Sequence, residues 1–503
     1  MFFYLLTIIA AFFSRKIFLD NLGAEFIGLV SLIQEILKFL NLAELGVSTA
    51  VGYALYKPLL DKDYSEINHI NTFFGLLYRK IGVVILSVGI IVSIFLPVFF
   101  SETTFTSPII YFAFFTFLIN TIFNYFFNYH ITVLEADQKK YIVSKYFQGF
   151  GILKSIVQIS LVLVYKSFYL WITIELIFSL IIVFVLRWQI KKVYPWLTLN
   201  LPKNTKNVKK FPEIITKVKQ IFVHKFSFFI LNGTDQILIY WFVNIQSVAF
   251  YGNYLMVIGY LSTFINQIFS GAQAGVGNLI AEKNIINIKK VFWELIALRH
   301  FLGGFLFLAL YYLVNPFILI WLGETYILDE NIVFLMLLTV YIGQVRKPVD
   351  DYINAYGIFS DTWAPATEAV LNLGLSLVLG SLYGILGIVI GTIASMTLMV
   401  LVWKPFFLYK KGFKESVLEY WISFFKLISS LILTFLIVNY LKNILYNNPI
   451  TTFLEWFVFA FVLCITIIII YSIFLFFIHQ GFRDFIFRIK IIITNFIKNG
   501  TKS

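Results

Sequence analysis

The sequence predicts an all-α membrane protein of about 14 transmembrane helices, arranged as two parallel six-helix lobes around a central cavity plus two C-terminal helices. Three observations predict it. The 503 residues are 60% hydrophobic and only 13% charged, with mean hydropathy +0.87, whereas soluble domains are about 25% charged. Apolar runs of roughly 20 residues, enough to cross a hydrocarbon core about 30 Å thick, recur along the whole chain. Short motifs also return at one half-length offset.

The runs lie at 2–22, 28–56, 81–100, 108–134, 141–165, 168–188, 222–244, 250–280, 300–322, 331–357, 364–382, 384–409, 420–441 and 453–478. The first, in "MFFYLLTIIAAFFSRKIF", has no basic n-region, so it reads as a span and not as a signal peptide. Spans 2 and 8 are longer than a crossing needs and are expected to tilt or extend into the interface. The net charge of +13 raises the question of nucleic acid, but the cations sit in short connections between apolar runs. Connections after even-numbered spans, with the span ends beside them and the tail, hold 30 of the 39 Lys and Arg residues, including Lys139, Lys140, Lys145, Lys191, Lys192, Lys289, Lys290 and Arg299. The opposite side offers little beyond Lys166 and Lys442. The positive-inside rule therefore puts even-numbered exits and both termini in the cytoplasm. No nucleic-acid partner is expected.

The repeat sets the domain plan. "FIG" ending at Gly28 returns as "FYG" ending at Gly252, "GVSTAVG" (46–52) as "GAQAGVG" (271–277), and "ADQ" at Ala136 as "SDT" at Ser360. An even number of spans separates the copies, so orientation is kept and the repeat is parallel, as in transporters that alternate access between two lobes. The N-terminal lobe covers 1–190, a basic cytoplasmic linker 191–220 and the C-terminal lobe 221–412. Residues 413–503 hold spans 13 and 14 and a tail. That tail, "GFRDFIFRIKIIITNFIKNGTKS", alternates basic and apolar residues and reads as an amphipathic helix lying on an anionic membrane face.

Several stretches carry a family resemblance: "RKIFLDNLGAEFIGL" (15–29), "LAELGVSTAVGYALYKPL" (42–59), "LEADQKKYIV" (134–143), "NGTDQI" (232–237), "NPFILIWLGE" (315–324), "RKPVDDYINAYGIF" (346–359), "GILGIVIGTIAS" (384–395) and "WKPFFLYKKGF" (403–413). They cover almost the whole chain in order. The sequence resembles the bacterial polysaccharide (O-antigen type) flippases of the multidrug/oligosaccharidyl-lipid/polysaccharide exporter superfamily. It departs from them at the start, where related chains have more residues before the first span. The resemblance implies transfer of a polyprenyl-diphosphate-linked oligosaccharide from the inner to the outer leaflet of the bacterial cytoplasmic membrane. Membrane lipids and other polysaccharide assembly proteins are the implied partners.

Such a substrate needs cations for its phosphates and amides or aromatics for its sugars. Ionisable residues inside spans are the candidates, because charge in hydrocarbon is costly and usually lines a cavity. Arg15 lies near the outer end of span 1, where snorkelling is the alternative. Glu35 and Lys38 are spaced to form their own ion pair, while Glu44 lies deeper. Asn120, Asn124 and Asn128 make an i,i+4 stripe that serves helix packing as well as sugar binding. Lys145 and Lys154 are half a turn out of phase, so at most one faces the cavity. Lys154 is the deeper, and Lys145 suits loading at the cytoplasmic face. Asp235 is the candidate for coupling to a proton or sodium gradient, with an interlobe salt bridge as the other reading. No other cofactor is expected.

The stretch "QVRKPVDDYINAYG" (344–357) follows only thirteen mostly apolar residues. Charged sequence on both sides leaves room for a single crossing, so the helix is expected to run through it, kinked at Pro348. Arg346 then falls near the middle of span 10. Arg346 with Asp350 and Lys347 with Asp351 are both i,i+4 pairs. Arg346 and Asp350 complete the candidate substrate-binding set of Arg15, Glu44, Lys145, Lys154 and Asp235.

Cys464 is the only cysteine, which excludes an intrachain disulfide, and the five His residues lack ligand spacing. No nucleotide loop or catalytic constellation appears, so no enzyme is expected. A drug or metabolite exporter of the same superfamily is the alternative; a glycan polymerase or ligase would need a larger external loop.

Overall fold

Backbone polar groups have no water to bond in a hydrocarbon layer, so a chain this apolar satisfies them inside helices. The computed structural model describes residues 2–44, 46–202, 209–216, 218, 222, 233–269, 272–358, 360–361, 363–445 and 450–500. Among them there are helices and connections and no strand. Eleven helical segments among the described residues are long and apolar enough to cross a membrane. Residues 223–232 of the predicted span at 222–244 lie outside the described residues, as do 203–208, 217 and 219–220 of the basic linker.

The chain divides into two compact units, Met1–Ala249 and Phe250–Ser503. The first contains α1 (Phe2–Leu40), α2 (Val47–Asp61), α3 (Tyr64–Phe99), α4 (Ser107–Phe127), α5 (Ile131–Ala136), α6 (Lys140–Tyr165), α7 (Phe168–Val193) and α8 (Asp235–Phe242). It also holds the start of α9 (Ile245–Ile268). The second continues with α10 (Ala272–Ala281), α11 (Ile285–Leu322), α12 (Glu330–Val345), α13 (Lys347–Ala355) and α14 (Trp363–Met396). A π-helical turn leads to α15 (Lys404–Leu408), and then come α16 (Leu418–Leu445), α17 (Phe453–Ile478) and α18 (Gln480–Gly500).

Two of the eleven segments double back. In α1, Gly23 takes φ 83°, ψ 160°, a left-handed excursion that only glycine adopts without strain. It brings Phe18 and Phe26 onto the same Trp171 ring, at 5.7 and 5.5 Å between centroids. In α14, Gly384 takes φ 58°, ψ −134° and folds the two arms against each other. Asn372 Nδ2 donates to Thr392 Oγ1 at 2.9 Å, and Ser376 Oγ to the Ile388 carbonyl at 3.0 Å. The "GILGIVIGTIAS" motif works here as a small-residue seam, which lets the helix backbones approach closely.

Spans 2 and 8 differ from expectation. The first breaks partway into a 3-10 turn at Asn41–Glu44 and then α2; along the second, α9 ends at Ile268 and α10 covers Ala272–Ala281. At the first break Gly46 has φ 91°, and Glu44 finds side-chain partners that a regular helix would place elsewhere. Span 4 ends at Phe127 and is followed by the separate short α5. The helices of spans 3 and 9 begin well before the apolar runs do, at Tyr64 and Ile285. Long helices therefore recur at the half-length offset within both units.

Helix ends in the first unit gather at two poles. At the basic pole Tyr194 Oη donates to Asp137 at 2.5 Å, Thr198 N to Asn68 at 2.7 Å, and Lys209 pairs with Glu66 at 2.6 Å. At the other pole Glu25 accepts from Thr104 N at 2.6 Å, and Tyr240 Oη donates to the Phe99 carbonyl at 2.6 Å. In the second unit Lys289 bridges Glu415 and Glu419 at its basic pole, while Tyr311 and Glu330 meet at the other. The tail helix α18 docks on α11 at that basic pole. Phe482 is buried, Gly481 abuts the Trp293 carbonyl, and Arg488 pairs with buried Glu294 at 2.9 Å.

The hairpin at Gly384 generates a prediction. A Cβ on Gly387 would lie 1.9 Å from the Leu379 carbonyl oxygen, whereas one on Gly374 meets open space. Gly387→Ala should lower stability by about 1–3 kcal/mol through overpacking. Gly374→Ala should stay within about 1 kcal/mol of the parent. Thermal unfolding in detergent compares the two; equal midpoints would contradict the seam.

Candidate functional site

Most intramembrane charges predicted from sequence are answered by another side chain. Arg15 Nη2 donates to the Ala249 carbonyl at 3.1 Å, which ties span 1 to the start of α9. Glu35 and Lys38 form the expected pair at 2.7 Å, and Gln236 of α8 adds a donor to Glu35 at 3.4 Å. Glu44 sits at the break between α1 and α2. Tyr78 Oη donates to its Oε1, and Tyr125 Oη donates to its Oε2 at 3.1 Å. Asn128 donates to the Asn124 side chain at 2.7 Å and Asn124 to the Asn120 carbonyl at 3.0 Å, so the stripe forms a ladder along its own helix.

The two lysines of α6 separate as their phase requires. Lys145 is exposed near the start of the helix and forms no ion pair among the described residues. Lys154 meets Glu175 of α7 at 2.8 Å, and Gln158 donates to the same carboxylate at 3.1 Å. Lys154 is therefore engaged in holding α6 to α7. Asp235 stands at the first position of α8 and is half-buried.

The second unit brings the strongest cluster together. The helix does continue through "QVRKPVDD": α12 ends at Val345, Arg346 keeps helical angles (φ −68°, ψ −27°), and α13 starts at Lys347 with Pro348 second. Arg346 Nε donates to Asp350 Oδ2 at 2.8 Å, as the spacing implied. The companion pair does not close, since Lys347 and Asp351 form no ion pair with each other among the described residues. Arg346 also faces a residue that sequence reasoning missed. Glu368 of α14, which is buried, lies 4.0 Å from Arg346 Nη1. Glu368 is only five residues into α14, about 8 Å along its axis. Arg346 therefore sits toward the basic pole and not at the centre of the span.

Arg299 is the second residue missed. Its place in the sequence assigned it to a connection, but α11 starts fourteen residues earlier and Arg299 is buried on it. It donates to Asn266 Oδ1 at 3.1 Å and Gln344 Oε1 at 2.8 Å, and stacks on Phe269 with 3.9 Å from Cζ to the ring centroid. Gln344 in turn donates to Ser262 at 2.9 Å. This network ties α9, α11 and α12 together two residues before Arg346. A third group, Lys404 with Asp361 at 3.0 Å, lies beside the cluster, with Trp403 Nε1 3.4 Å from the same carboxylate.

Chemically, Arg346 is the half-buried cation best suited to an anionic headgroup. Asp350 takes one of its five N–H donors, and no other hydrogen bond from it is formed among the described residues. A guanidinium with free donors can grip a phosphate with two parallel bonds. Among the described residues no group of His, Cys, Asp and Glu is placed to hold a metal ion.

Neither a family model nor a curated relative matches the sequence. Solved structures do. A lipid II flippase, MurJ, in an inward closed conformation matches with a TM-score of 0.66 and 17% identity, over 94% of this chain and 98% of that one. An inward-facing multidrug resistance MATE family transporter of the MOP superfamily matches with a TM-score of 0.61 and 14% identity, over 82% and 96%. This chain has the multi-pass, all-helical fold of those transporters.

The Lys154–Glu175 contact can be tested as a structural pair. Lys154→Met leaves Glu175 with one fewer cation in a largely buried place and should cost about 2 kcal/mol of stability. Adding Glu175→Gln should recover part of that loss, so the two effects are not additive. Thermal melts of the single and double variants give the coupling; simple additivity would mean the lysine is free for another task.

Proposed function

We propose that this protein moves a polyprenyl-diphosphate-linked oligosaccharide from the cytoplasmic to the outer leaflet of a bacterial cytoplasmic membrane, for surface polysaccharide biosynthesis. In this reading it works by alternating access, with two lobes rocking about a cationic cavity, and both termini lie in the cytoplasm. Other polysaccharide assembly proteins would supply the substrate and receive it.

The observation that carries the reading is Arg346, a half-buried arginine on a membrane-crossing helix with most of its donors unspent. Burying a guanidinium in hydrocarbon is costly, and a site that tolerates it usually handles an anion or a counter-charge. Its place toward the basic pole suits a group that meets the diphosphate early, during loading. Lys145, exposed at the start of α6, suits attraction of the same headgroup. The fold shared with a lipid II flippase supports a lipid-linked cargo. Asp235 remains the residue proposed to couple transport to a proton or sodium gradient.

One observation favours a second reading, export of a cationic drug or metabolite. Asp350 and Glu368 together outnumber Arg346, and the fold is also that of a multidrug transporter. The two readings separate in reconstituted vesicles. Arg346→Gln should slow transfer of a polyprenyl-diphosphate oligosaccharide about 30-fold or more, the loss of about 2 kcal/mol of charge-assisted contact. Arg346→Lys should fall between the two, because it keeps the charge without the bidentate fork. Membrane insertion should be unchanged in both. A parent-like rate in the Arg346→Gln variant, or transport of cationic dyes in place of the lipid, would remove the flippase reading.

A further inference from the structure

The ionisable side chains grouped around Glu368 do not balance. Arg346 has Asp350 at 2.8 Å and Lys404 has Asp361 at 3.0 Å, so each cation owns one carboxylate. Glu368 is the third carboxylate and owns none. Its nearest cationic atom is Arg346 Nη1 at 4.0 Å, beyond hydrogen-bond reach. Its Oε1 is buried and accepts no hydrogen bond. The charged groups facing it are Arg346 and Asp350 from the α12–α13 junction and Lys404 from α15, with Asp361 behind Lys404.

With all five groups ionised, two cations face three carboxylates, and a net negative charge stands where an anionic headgroup would have to approach. Like charges in a poorly solvated place repel strongly, and a proton is the smallest ligand that relieves the excess.

We infer that Glu368 is a proton-binding site linked to anion binding at Arg346. A proton on Glu368 makes the cluster neutral and lets a diphosphate take the donors of Arg346 that Asp350 leaves unused. By linkage, the bound diphosphate strengthens proton binding to the same extent. The inference rests on the diphosphate reading of Arg346 and adds to it: loading the substrate draws one proton into the protein. No covalent bond is made or broken beyond the O–H bond of the Glu368 carboxyl.

The test uses the full chain in lipid nanodiscs and a short-chain probe, farnesyl-diphosphate-linked N-acetylglucosamine. Both its phosphates are esterified, so its charge stays fixed between about pH 5 and pH 8 and any pH dependence belongs to the protein. Calorimetry in two buffers of different ionisation enthalpy counts protons taken up on binding. The parent should take up close to one proton at the upper end of this range, with affinity falling up to about tenfold per pH unit. Glu368→Gln keeps the shape and the neutral charge, and should bind with no proton uptake and a flat pH profile. Glu368→Asp should restore uptake, which separates proton binding from mere packing. Parent binding that is flat with pH, or uptake that persists in Glu368→Gln, overturns the inference while leaving the diphosphate reading intact. A probe that fails to bind at any pH, or binds equally well to Arg346→Gln, overturns both.

Discussion

A charge on a membrane helix must be answered, and in this protein the answer often comes from a different helix. Removing an ion from water costs several kcal/mol even after relaxation, and only close partners recover it. That constraint fixes much of the packing. Glu175 reaches Lys154 across α6 and α7, and two tyrosines reach Glu44 from α3 and α4. Arg299 is shared by α9 and α12, and Glu294 of α11 holds the tail through Arg488. Polar side chains act here as fasteners between helices that hydrophobicity alone would leave free to slide, since lipid tails are as apolar as leucine.

This explains what was legible in the sequence. Spans with plain apolar runs were read closely: the last was expected at 453–478 and is Phe453–Ile478. Pairs one helical turn apart were also within reach, because spacing alone brings Glu35 to Lys38 and Arg346 to Asp350. Contacts between distant positions were not. Nothing in the order of residues joins Glu368 to Arg346 or Arg299 to Gln344, which become neighbours only once three or four helices have assembled. Arg299 directly precedes the apolar run at 300–322, and its helix already begins at Ile285, in polar sequence that hydropathy reads as a connection.

The broken spans teach a related lesson. An apolar stretch longer than the membrane invites a tilted helix as the simplest reading, and hydropathy cannot separate that from two helices with a glycine between them. Gly46 distinguishes the cases, because its left-handed angles end one helix and begin another without strain. The break exposes backbone groups and side chains at Asn41–Glu44 to lateral partners, and Glu44 and Asn41 both use them. Irregular backbone at membrane depth is tolerated where protein covers it.

The seam at Gly384 carries a mechanical consequence. Arms packed through Gly387, Gly391 and Ser376 have no room to slide past each other, and Asn372 pins them to Thr392. The hairpin is thus a stiff strut about 30 Å long from Trp363 to its turn. Glu368 stands near one end of it. A change of charge there cannot be absorbed by local bending, so any response has to be carried by the strut as a whole to its far end.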